Sequence, residues 1–80
     1  MPFVYLLRCR DGSLYTGAAL VLERRLAEHR AGKAARYTRS RLPVELAWSV
    51  EVATWSDALI EERRIKRLRR GAKEALVAEG

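Results

Sequence analysis

The sequence predicts an α+β domain: a small three-stranded antiparallel sheet flanked by helices, in the order β-β-α-β-α-α. Three features point to it. Two β-rich segments are separated by Asp11-Gly12, a strong hairpin signal. A stretch of helical propensity follows, with Leu22 and Leu26 one turn apart. A third β-rich segment then opens after Pro43, and the remainder reads as helix. Eighty residues allow one domain, 1–80. Size scaling gives a folded surface of roughly 4,900 Å² against roughly 13,000 Å² for the open chain, enough burial for one small core.

Residues 3–9 (FVYLLRC) are nearly continuously apolar, which suits a strand buried on both faces. Residues 13–18 (SLYTGA) read as the return strand, 21–31 as the first helix, and Gly32 as its C-terminal stop. Residues 33–42 read as a basic loop holding Lys33, Arg36, Arg39 and Arg41 without an acid. Residues 44–53 form the third strand. Thr54, with Asp57 three residues on, resembles a capping box for a helix from about Trp55 to Arg70. Gly71 is expected to interrupt that helix, leaving residues 72–79 as a short last one.

Lys and Arg number 16 against 10 Asp and Glu, a net charge of +6 that favours a polyanionic partner. The single cysteine, Cys9, excludes an internal disulfide framework, and with one histidine a structural zinc site is not expected. No apolar run approaches the ~20 residues of a membrane span, and the N-terminal stretch lacks the form of a signal peptide. A reducing cytoplasm is the expected compartment. A basic protein lying on anionic membranes would need an exposed apolar face that the 63–73 run does not supply.

On a helical projection of the second helix at ~100° per residue, Ala58, Leu59, Ile65 and Leu68 define the inward face, with Ile60 opposite. Glu62, Lys66 and Arg69 fall inside the same arc. A carboxylate there must be paired, neutral or metal-bound, because an isolated buried charge costs several kcal/mol. A plain Glu62–Lys66 pair at i+4 is as reasonable as a functional acid. Residues 63–73 add seven cations with no acid between them, against the mixed signs usual on a merely solvated helix. On the first helix, Arg25 and His29 share a face; with the hairpin tyrosines they suggest a phosphate site, since arginine clamps phosphate bidentately.

The residues resemble a known family. Val4-Tyr5-Leu6 and Tyr15-Thr16-Gly17 are similar to the two short motifs of the GIY-YIG nuclease superfamily, ten residues apart from tyrosine to tyrosine. RLAEH (25–29), GKAARYT (32–38) and EERRIK (61–66) follow in that family's order, and the likeness to small stand-alone bacterial members covers about residues 3–77. The resemblance implies a single GIY-YIG-like domain acting as a metal-dependent endonuclease on DNA. With no second domain for base reading, structure rather than sequence would direct it, with repair or recombination as its setting. It implies Tyr5 as general base, Tyr15 orienting water or phosphate, Arg25 stabilising the pentavalent phosphate, and a histidine at His29. Glu62 would be the acidic ligand of one Mg²⁺ or Mn²⁺.

A tyrosine base needs a nearby cation to lower its pKa, and the local Arg and Lys density is expected to supply it. Lys33, Arg36, Tyr37, Arg39, Arg41, Lys66, Arg69, Arg70 and Lys73 are the expected nucleic-acid contacts, with Tyr37, and less strongly Trp55, available to stack on a base. Trp48 reads as core. Val4 stands where the family has Gly and Thr16 where it has Ile. Ala18-Ala19 replace small polar residues, and Glu74 replaces an Asn found in some relatives. The competing reading is a non-catalytic nucleic-acid-binding protein that keeps the fold. Geometry sets a condition. A two-residue turn would put Tyr5 and Tyr15 on opposite faces, so a joint site requires an odd loop or a bulge, with Gly12 at positive φ. Tyr5, Arg25 and Glu62 must also meet in one solvent-reachable hollow.

Overall fold

The computed structural model describes residues 1–80. Strand β1 (Phe3–Arg8) is central, paired antiparallel with β2 (Leu14–Ala19) on one side and β3 (Glu45–Glu51) on the other. Helix α1 (Leu22–Arg30) leads into a short α2 (Arg36–Arg39), and α3 (Trp55–Lys66) and α4 (Arg70–Glu79) follow β3.

The central position explains the continuous apolar run of β1. Alternate side chains feed two cores, so neither face can be polar. Tyr5, Leu7 and Cys9 join Ala19, Val44 and Leu26 of α1 on one face. Val4 and Leu6 join Leu14 with Ala58 and Ile65 of α3 on the other, where Leu68, Leu76, Val77 and the half-buried Trp48 close over them.

The hairpin meets the condition set by the sequence. Leu7 pairs with Tyr15 and Tyr5 with Gly17, so the two tyrosines share a face. The loop is three residues long: Cys9 N donates to Ser13 O at 2.9 Å, closing Arg10-Asp11-Gly12, and Gly12 has φ 86°. Asp11 Oδ1 accepts from Ser13 N at 3.0 Å and from Ser13 Oγ at 2.6 Å, which stiffens the loop. A bulge lies in the other ladder, where β1–β3 pairing slips between Leu6 and Leu7. Ala47 is the extra residue, and it and Trp48 both pack on the second core.

Several expectations are corrected. The 33–42 segment is not all loop, since Arg36–Arg39 forms one helical turn anchored by the buried Thr38. Helix α3 ends at Lys66 rather than near Arg70, and Gly71 does not interrupt it. The break falls at Arg67–Arg69, which turns Leu68 onto the second core and starts α4 in a new direction. Gly71 sits in the first turn of α4 with nothing near its Cα to demand a glycine. Leu59, placed inward by the projection, is 38% exposed, and Lys66 and Arg69 are exposed with it. Only the narrower stripe of Ala58 and Ile65 is fully buried. The Thr54 cap forms as expected, its hydroxyl accepting from Asp57 N at 3.0 Å.

Candidate active site

The site is built around Gly17. A Cβ at that position would lie 2.4 Å from Tyr5 Oη, so only glycine lets the Tyr5 ring cross β2 toward the open edge of the sheet. Helix α1 brings Arg25 and His29 to that region from one face, and α3 brings Glu62 from the other.

His29 is fully buried and bonded at both ring nitrogens. Nδ1 is 2.9 Å from Thr38 Oγ1, whose own proton goes to Ala35 O at 3.1 Å. Thr38 therefore accepts, and the network assigns the ring proton to Nδ1. Nε2 then carries a lone pair and accepts from Tyr5 Oη at 2.8 Å. Burial, and after it the Arg25 cation, push His29 down to about 4, so the ring is neutral in neutral solution. Tyr15 packs edge-on against His29, ring centroids 5.4 Å apart, as does Tyr5 at 5.7 Å.

Tyr5 departs from expectation. Burial pushes its phenol up to about 12; the Arg25 guanidinium opposes the rise without overcoming it, while Tyr15 and Glu62 add to it. The cations do not make Tyr5 a phenolate. What it has instead is an acceptor for its proton. Tyr5 is only 1% exposed, so its hydroxyl is the innermost group, with Arg25 and Glu62 as a more open rim.

Arg25 Nη1 donates to Glu28 Oε1 at 2.9 Å, which holds the guanidinium charged and oriented. Glu62 is a half-buried carboxylate 3.6 Å from Lys66 Nζ, so the i+4 pair expected from spacing exists as a loose contact. Glu61 faces outward in a tight pair with Arg64. The open hollow nearest the site takes in Arg25 but neither Tyr5 nor Glu62. Arg25 and Glu62 both act on Tyr5, yet the three do not line a single cavity.

The expected contact residues divide. Lys33, Arg36 and Arg39 are exposed. Arg41 is committed internally: it stacks on Tyr37 at 3.8 Å, donates to Asp11 Oδ2 at 3.0 Å and to Tyr37 O at 3.0 Å. Tyr37 also stacks on Tyr15, centroids 5.8 Å apart. Lys66 and Arg69 are exposed and Lys73 half-buried. Arg70 donates to Gly12 O at 3.1 Å and lies 3.7 Å from Glu74. Two contributors escaped the sequence reading. Thr38 fixes His29, and the only signal was a hydroxyl nine residues past the one histidine. Glu28 orients Arg25, and its i+3 spacing was visible.

The pattern of the GIY-YIG catalytic domain matches residues 1–75. The chain belongs to the GIY-YIG family. A UPF0213 protein of Natronomonas pharaonis is 49% identical over 77 residues, covering 96% of this chain and 91% of that protein. One of Streptococcus pneumoniae is 44% identical, covering 96% and 78%. The solution structure of a UPF0213 protein from Bacillus halodurans superposes with a TM-score of 0.62 at 40% identity, covering 98% of this chain and 84% of that one. An E. faecalis protein superposes at 0.63 with 38% identity, covering 96% and 82%. Against this GIY-YIG background the departures acquire causes. Val4 fills the α3-side core at 0% exposure. Thr16 faces the same core, where its hydroxyl is buried without a partner. Glu74 is taken by Arg8, whose Nη2 donates to Oε1 at 2.7 Å in a two-point pair that ties α4 to β1.

Proposed function

We propose that this GIY-YIG protein is a metal-dependent endonuclease that hydrolyses phosphodiester bonds in DNA, directed by structure rather than sequence. The observation that carries the reading is the Tyr5 Oη–His29 Nε2 bond with its tautomer set by Thr38. A neutral imidazole holding a lone pair against a phenol can take the phenol's proton as the phenol takes one from water. Hydroxide then forms the new P–O bond as the P–O bond to the departing strand end breaks; the proton from water is held on His29 Nε2 and returns through Tyr5, while solvent protonates the departing oxygen. No free phenolate is required; burial and Arg25 oppose the imidazolium as well, so the proton rests on Nε2 only while hydroxide attacks. Arg25, fixed by Glu28, offers a guanidinium to the phosphorane charge as it develops. Tyr15, packed on His29, positions the ring and the phosphate edge.

Glu62 is the acid suited to a divalent ion. It is partly open, and its one contact is the loose one with Lys66. No group of three His, Cys, Asp or Glu converges here, so the protein offers a single hard oxygen donor. That fits Mg²⁺ or Mn²⁺, which keep several waters and share phosphate oxygens, and not an ion that needs a protein cage. Bound there, the ion would supply Lewis-acid stabilisation of the phosphate. Lys33, Arg36 and Arg39 would hold backbone phosphates on the α2 side, and Lys66, Arg69 and Lys73 on the α3–α4 side.

The test is nicking of plasmid and branched DNA with Mg²⁺ or Mn²⁺, set against EDTA and Glu62→Ala. Metal-dependent nicking lost in Glu62→Ala supports the proposal. The 1% exposure of Tyr5 favours a second reading, a nucleic-acid binder that retains the fold without catalysis. Tight binding with no cleavage of any substrate decides for it.

A further inference from the structure

Beside Arg25 lies a hollow of about 290 Å³ whose lining includes Ala18, Ala19, Val21, Arg24, Arg25 and Trp55. This is near the lower end of the ~300–1,000 Å³ usual for small-ligand clefts. Of this lining the proposed hydrolysis uses only Arg25 and its partner Glu28. Ala18 and Ala19 follow Gly17 directly, so the hollow begins where the Tyr5 ring crosses the sheet. At this rim the protein leaves three large apolar side chains in water: Trp55 at 42% exposure, Val21 at 46% and Leu20 at 65%. Grouped apolar exposure of this kind marks a contact surface. Trp55 is the first residue of α3, and the Thr54 cap behind it fixes its backbone, so the indole is presented from a rigid start.

The chemistry of the lining selects the occupant. Two alanines, a valine and an indole accept a flat apolar ring, while Arg24 and Arg25 at the same rim favour an anion attached to it. Glu28 also lines the hollow; its Oε1 is taken by Arg25, leaving Oε2 without a protein partner to accept from a ring N–H. An apolar peptide would leave two guanidiniums unpaired, and an anionic lipid would pair them but offer no flat ring to the indole. We propose that this hollow seats an unpaired nucleobase next to the phosphate held by Arg25, with Trp55 as its stacking surface. The placement rests on the nuclease reading for the phosphate at Arg25. A base inside a duplex has both faces stacked and cannot enter, so the seat selects single-stranded, flapped or gapped positions.

Binding without turnover tests this. The full chain in EDTA is titrated with a thymidine hexanucleotide and with an abasic hexamer of equal charge, reading tryptophan emission. The base-bearing strand should bind roughly 5- to 150-fold tighter, the range expected for stacking of one base. It should also quench emission. Trp55→Leu, whose remaining tryptophan is the half-buried Trp48, should lose both the quenching and the preference, and Trp55→Phe should keep the preference. Equal affinity for the two strands, or a preference unchanged in Trp55→Leu, overturns the inference. Since no cleavage is read, nicking without base preference sinks this inference alone, and base preference without nicking sinks the nuclease reading alone.

Discussion

At the scale of single residues, the proposed chemistry turns on the proton acceptor behind Tyr5. Tyr5→Phe removes the shuttle while sparing the packing, and turnover should fall about 10²- to 10⁴-fold with circular dichroism unchanged. His29 makes a pH prediction. Its folded pKa lies near 4, below the ordinary 6.5, because burial and Arg25 disfavour the cation. The unfolded chain binds a proton below 6.5 that the folded chain refuses. The stability His29 contributes is therefore complete above 6.5 and is lost as pH falls toward 4. Urea midpoints should decline across that window. The acid limb of kcat/KM should likewise stay flat well below 6.5, because the free enzyme keeps its lone pair; a break at 6.5 would remove His29 from the shuttle. Thr16→Val deletes a buried hydroxyl with no partner at nearly constant shape. It should raise stability by about 1 kcal/mol, seen as a higher Tm, with nicking unaffected.

At the scale of elements, the strands were legible and the breaks between helices were not. The apolar run of β1 and the Asp11-Gly12 signal located the hairpin; a joint tyrosine site required an odd loop, and the three-residue loop meets that condition. Periodicity could not see where α3 stops, because Leu68 continues the apolar pattern. It takes its place by leaving the helix, a tertiary choice shared with Leu76 and Val77. For the same reason the projection turned Leu59 inward. The α2 turn was hidden because its anchor is the Thr38–His29 bond, which spans two elements. Of the candidate site, Glu62 stood out on the helical projection and Arg25 with His29 by their shared face, while the role of each came only through an ordered likeness of motifs. The inverted acidity of Tyr5 was not visible at all, since burial is not written in local sequence. The cap is a separable element-level feature: Thr54→Ala should lower stability by about 1 kcal/mol, roughly 4–8 °C in Tm.

At the scale of the whole molecule, the +6 charge acts through the cations that remain free. Binding to DNA should weaken with salt, and Lys33→Ala, Arg36→Ala and Arg39→Ala should each reduce the slope of log K against log salt by about 1. Arg41→Ala should leave the slope nearly unchanged and loosen the α2 turn instead, because that cation is spent on Asp11 and Tyr37. No helix is long and apolar enough to cross a membrane. The Thr38 hydroxyl joins two duties that other designs keep apart. The same turn that carries the exposed Arg36 and Arg39 also decides which nitrogen of His29 is left bare. Chimeras that exchange residues 33–42 for another basic segment therefore inherit a hidden dependency. On the proposed function, a graft with valine at 38 would keep its hold on the polyanion yet unplug the proton wire, whereas one that retains a threonine there would keep both.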